Sequence, residues 1–173
     1  MSVAMARKIN RIFWRIAKRG ELSRTPKPWY RGGVLYASDG SILIRAGVSP
    51  IVFDSHPRIA VTRFDLGDEG YHPSHADQLI DDAFARPDWI AAEIPEVQAV
   101  RTYQLSDGIV RKQEIREGIK FARDGGDYLL NSLYLAMLRK SGVRTVAYSP
   151  FPAGDDCARF TGDGFHGILM PMR

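Results

Sequence analysis

The dipeptide Asp-Gly recurs between strand-like runs, at Asp39-Gly40, Asp107-Gly108 and Asp163-Gly164. It is the strongest short-range hairpin signal, because the tight turn joining two antiparallel strands needs a positive φ that glycine adopts without strain. Three such turns predict a chain rich in antiparallel hairpins.

Around them, residues 29–48 read as two strands joined at Ser38-Asp39-Gly40-Ser41. Residues 58–66 read as a further strand, 97–105 and 109–115 as the arms of the second hairpin, and 143–148, 157–161 and 165–170 as closing strands. Helical spacing appears in three places. Ile9, Ile12, Phe13 and Ile16 sit at i, i+3, i+4 and i+7, one stripe of a helix that Gly20 would end. Residues 75–84 place Ala76, Leu79, Ile80 and Ala83 on one side before Pro87. Residues 131–140 carry Leu133, Tyr134, Met137 and Leu138 ahead of Gly142. The outline is helix then strands, a middle segment, and helix then strands again. It predicts an α+β fold with two helices on one face of antiparallel sheet, in two similar halves.

A chain of 173 residues fits one domain. Its single cysteine, Cys157, excludes an internal disulfide framework and a cysteine-rich zinc site. No apolar run approaches the roughly 20 residues of a membrane span. Arg7, Lys8, Arg11 and Arg15 interrupt any apolar core of a signal peptide, so the expected location is the cytoplasm and no membrane partner is expected. The net charge of +4 is unevenly spread: residues 1–20 hold Arg7, Lys8, Arg11, Arg15, Lys18 and Arg19 and no acid. These cations fall on a different face of the first helix from its apolar stripe. The pattern fits a polyanion partner and equally a solvated helix face.

Four patches resemble the carboxyl-terminal domain of the bacterial DNA polymerase III beta subunit, the sliding clamp. They are Lys27-Pro28-Trp29-Tyr30-Arg31-Gly32-Gly33-Val34-Leu35-Tyr36, the turn Ala37-Ser38-Asp39-Gly40, the helix Asn131-Ser132-Leu133-Tyr134-Leu135 with Leu138, and the tail Ile168-Leu169-Met170-Pro171-Met172-Arg173. They occur in the family's order and cover residues 4–48 and 118–173. Residues 50–117 then read as an insertion in a single clamp-like domain spanning 1–173. The resemblance implies helices on the inner wall of a ring closed by six such domains, with sheets outside. It also implies a processivity factor that retains a DNA polymerase or related protein on double-stranded DNA. The rival expectation is a protein-interaction module of the same fold that binds a partner peptide or a clamp without encircling DNA.

On that reading Arg7, Lys8, Arg11, Arg15, Lys18 and Arg19 are the candidate DNA contacts, made without sequence preference through phosphates. Ile168, Met170, Pro171, Met172 and Arg173 are the candidate peptide-binding residues, methionine suiting a surface that accepts several ligands. The alternative for the tail is a last strand with Met170 in the core. His72 and His75 with Asp77, Asp81 and Asp82 make a poor zinc signal, lacking a convincing third ligand. Cys157 has acidic neighbours and no evident base, and Gly32-Gly33 and Gly125-Gly126 lack phosphate-loop spacing. No catalytic constellation, metal or cofactor is expected.

Overall fold

Successive side chains of a strand point to opposite faces, and at the centre of this protein both sets are largely apolar. On one strand Ile42, Ile44 and Ala46 join one buried cluster, while Leu43 joins another. A sheet of this kind needs cover on both faces, and the fold supplies it. The computed structural model describes residues 8–9, 11–13, 15–16, 28–31, 33–47, 62–63, 74–98, 100–151 and 156–172.

Among the described residues eight strands form the main sheet: β1 (Trp29–Arg31), β2 (Val34–Ser38), β3 (Ile42–Gly47), β4 (Thr62–Arg63), β5 (Ile90–Glu93), β10 (Thr145–Tyr148), β11 (Ala158–Gly162) and β12 (Phe165–Leu169). Their order is β4-β1-β2-β3-β12-β11-β10-β5. Every neighbouring pair is antiparallel except β1 with β4. The six central strands read the same from either edge: β1-β2-β3 in one half face β12-β11-β10 in the other, joined where β3 pairs β12. Two hairpins stand apart from this sheet, β6 (Val100–Gln104) with β7 (Val110–Glu114), and β8 (Gly118–Arg123) with β9 (Gly126–Asn131).

Helix α1 comprises the helical residues among 8–16, and α3 is Ser132–Lys140. Ile9, Ile12, Phe13 and Ile16 of α1 share one cluster with Leu135, Met137 and Leu138 of α3 and with Leu35, Ile44, Val146 and Phe160 of the sheet. The two helices therefore lie on the same face. Each fully buried Leu, Ile or Phe contributes about 1.5–3 kcal/mol relative to exposure, so this shared core fixes both helices to the sheet. Asn131 caps α3 by accepting from the Leu133 amide at 3.0 Å, and Gly142 at φ 92° ends it. Helix α2 (Ser74–Ala85) covers the other face, where Ala76, Ile80 and Ala83 meet Trp29, Tyr36, Leu43 and Ile168.

The expected hairpins form, and Gly40, Gly108 and Gly164 have φ of 87°, 81° and 78°. Two expectations need correction. Residues 29–48 hold three strands rather than two, because Gly33 at φ 87° turns the chain so that Arg31 pairs Val34. The β8–β9 hairpin adds a fourth Asp-Gly turn to the three expected, for Asp124-Gly125 closes it with the same chemistry. Of the strand expected at 58–66, only Thr62–Arg63 lies among the described residues. Of the described parts of 50–117, β4 and β5 form the sheet's edges and α2 covers its second face, while the β6–β7 hairpin stands apart.

Candidate functional site

The described residues of α1 and α3 divide cleanly. Ile9, Ile12, Phe13, Ile16 and residues 132–138 are buried, and each of the others is a cation: Lys8, Arg11, Arg15, Arg139 and Lys140. A Cβ on Gly142 would lie 3.3 Å from Lys8 Nζ, which places the start of α1 beside the turn that ends α3. The two sets of cations thus belong to adjoining helices. Arg139 also donates to the Ile94 carbonyl at 2.6 Å and meets the exposed Glu96 at 3.4 Å, so it is partly committed within the protein. Arg7, Lys18 and Arg19 lie outside the described residues.

The tail builds a second feature. Strand β12 ends at Leu169, and two backbone bonds then carry the chain onward. Met170 N–H donates to the Ser41 carbonyl at 2.8 Å and Met172 N–H to the Leu129 carbonyl at 2.9 Å. Pro171, which has no N–H, falls between the two donors. The tail consequently bridges the β2–β3 turn to β9, leaving a groove of about 450 Å³ between Gly40-Ser41, the start of β9 and Met170-Pro171-Met172.

Arg123, Tyr128 and Asp156 also line this groove. Arg123 pairs with Asp156, and its guanidinium lies 4.8 Å from the centre of the Tyr128 ring, which stacks on Tyr148. Arg123 Nε, Tyr128 OH and Asp156 Oδ1 are buried without a hydrogen-bond partner. Burial, reinforced by the neighbouring Asp156, pushes the Tyr128 phenol well above its ordinary range, so it remains a donor. The groove combines methionine and proline at one rim with the polar and charged side chains of Ser41, Arg123, Asp127, Tyr128 and Asp156.

The tail residues do not all behave as expected. Ile168 is no groove residue: it pairs with Leu43 and is buried with it beneath α2, because strand alternation turns it to that face. Met170 is not core either, being 38% exposed where the strand has already ended. Met170, Pro171 and Met172 line the groove. Arg173 lies outside the described residues.

A third arrangement, unanticipated in the sequence, joins α2 to the sheet. Arg45 Nε donates to His166 Nε2 at 2.7 Å, its NH1 to Asp77 at 2.8 Å and its NH2 to Asp81. Tyr36 OH donates to Asp77 at 2.7 Å. Asp77 and Asp81 are one helical turn apart, and an i, i+4 acid pair facing a strand arginine is the signal that was available. Both aspartates are thus engaged by Arg45 or Tyr36, His75 is exposed, and His72 lies outside the described residues. No group of three metal-ligating side chains stands together among the described residues. Cys157 is buried beside β11 in the cluster under α2. No described helix is long and apolar enough to cross a membrane.

No protein-family model, curated protein or solved structure matches the chain.

Proposed function

We propose that the protein is a clamp-like, DNA-associated scaffold that meets duplex DNA with α1 and α3 and holds a replication partner at the tail groove. The observation that carries this reading is the division of the two helices into buried apolar residues and outward cations, with no acid among their described residues. Cations on one face attract phosphates without reading sequence, and each phosphate neutralised releases counterions. The mirrored strand order and the two helices on one face support the clamp-like architecture. The resemblance of the tail, the Asp39-Gly40 turn and the Asn131 helix to the sliding clamp supports it further.

Duplex binding should then be independent of sequence and weaken steeply with salt. Replacing Arg11 and Arg15 with Glu should abolish it while leaving the melting temperature near that of the parent, since both side chains are exposed. Parent protein that fails to bind duplex at low salt would refute the proposal, as would a charge-reversed variant of unchanged affinity. Native mass addresses the ring directly: six copies support encirclement, and a monomer leaves only electrostatic retention.

The tail groove favours a second reading, an interaction module that binds a partner peptide without DNA. Peptide binding by a monomer that ignores duplex DNA, lost on removal of residues 171–173, would select it.

A further inference from the structure

Four of the exposed large apolar side chains, Val100, Tyr103, Ile109 and Val110, belong to one small element, the β6–β7 hairpin and its turn. Every residue of both strands is exposed. Two strands alone are marginal in water, yet this ribbon is firmly rooted. On one leg, Val97 packs against the shared core and Arg139 of α3 donates to the Ile94 carbonyl and to Glu96. The other leg closes on the first residue of α3: Ser132 Oγ donates to the Ile115 carbonyl and accepts from Glu117 N–H, both at 3.0 Å. The ribbon thus springs from the helix whose outward residues are cations.

Its two faces differ. The register opposes Arg101 to Gln113 and Tyr103 to Arg111, so these four share one face, which holds no acid. The other face carries Lys112 and Glu114 together with Val100 and Val110. Arg101 and Arg111 are diagonal neighbours, about 7–8 Å apart at their Cα atoms, and neither enters an ion pair among the described residues. A two-stranded ribbon is narrow enough for the major groove of duplex DNA.

We infer that the β6–β7 ribbon is a second nucleic-acid contact, whose Arg101–Tyr103–Arg111 face grips the phosphate backbone of a duplex reaching it from α3. This rests on the reading of the protein as DNA-associated and adds an arm to the helix surface. Charge selects the partner, since two arginines on an acid-free face suit a polyanion, and Tyr103 sets an amphipathic ring between them and the sugar-phosphate chain.

The test measures anisotropy of a labelled mixed-sequence duplex, and of one of its strands alone, across a salt series. Three variants are compared with the parent: Arg101→Gln with Arg111→Gln, Lys112→Gln on the opposite face, and Arg11→Glu with Arg15→Glu. Each phosphate contact contributes about 0.9 to the slope of log K against log salt, so the ribbon pair should flatten it by about 1.8. Lys112→Gln should leave the slope at the parental value. A ribbon pair that keeps the parental slope overturns the inference, and if the helix variant loses binding in the same series the helix reading still stands. A Lys112 effect as large per charge overturns the assignment to one face. An effect seen only on the single strand overturns the duplex contact. Absence of parental binding overturns both this inference and the function it extends.

Discussion

Arg45 and His166 sit directly opposite one another where the two halves of the sheet meet, and Arg45 Nε donates to His166 Nε2 at 2.7 Å. Because Nε2 accepts, this imidazole is neutral at that nitrogen. The remaining guanidinium donors reach Asp77 and Asp81, so one side chain links β3, β12 and α2. In register, Trp29, Tyr36, Arg45 and His166 form a single row across β1, β2, β3 and β12. The row begins with a stacked aromatic pair and ends in this polar knot.

Acid should therefore loosen the join. Burial, then the positive charge of Arg45, lowers the His166 pKa below its ordinary 6.5, against an opposing pull from Asp81. The unfolded chain then takes up a proton at pH values where the folded protein does not, so stability is complete above about 6.5 and falls as pH drops from there towards the depressed folded value. The expected result is a melting temperature that declines over this window in the parent. In His166→Gln, whose amide oxygen can accept from Arg45, the decline should be shallower. Parallel profiles for the two proteins would show that His166 does not report on folding.

Gly167 tests the same join sterically. A Cβ there would collide with the Leu43 carbonyl oxygen and stand 2.9 Å from Ile44 Cα, both backbone atoms that cannot swing aside. Gly167→Ala should cost about 1–3 kcal/mol or more, as overpacking does. Gly47→Ala, with nothing within 4 Å, is the control and should cost far less. Chemical denaturation of both variants decides the matter, and equal midpoints would contradict the close approach of β3 and β12.

Much of this fold is legible in the sequence because turn chemistry and helical spacing are local. Asp39-Gly40, Asp107-Gly108 and Asp163-Gly164 mark real hairpins, and the Ile9–Ile16 stripe and the Leu133, Tyr134, Met137 and Leu138 spacing mark real helices. Asp124-Gly125 carries the same signal, so β8–β9 was open to the same reasoning. The seam is not legible. Arg45 and His166 are 121 residues apart, and no periodicity in either strand indicates that they pair. The tail misleads for a related reason: Ile168 and Met170 share a parity, but β12 ends between them, so one is buried under α2 while the other borders the groove.

The two methionines of the tail should separate in their effects. Met170 is 38% exposed, and Met170→Ala should change stability by no more than about 0.5 kcal/mol. Removing residues 171–173 deletes the Met172 bond to Leu129, which ties the tail to β9, and should cost about 1 kcal/mol. Thermal melts of the two proteins check this order. A larger loss from Met170→Ala would restore Met170 to the core.

Ser132 supplies the last test, because it does two things at once. As the first residue of α3 it is buried, and its hydroxyl holds Ile115 and Glu117 at the foot of the β6–β7 ribbon. Ser132→Ala leaves a carbonyl and an amide without their partner, at an expected cost of about 1–3 kcal/mol. Its backbone bond to the Glu117 carbonyl, 2.8 Å long, survives the change. The ribbon should therefore remain formed yet open more often, and amide exchange over residues 100–114 should accelerate more than in the main sheet. Asn131→Ala makes the comparison, since losing the cap costs about 1 kcal/mol at the start of α3 and leaves the Ser132 hydroxyl bonds in place. It should hasten exchange in the first turn of α3 and spare the ribbon. If both substitutions loosen the same amides, Ser132 stabilises the helix alone and the ribbon is held by other contacts.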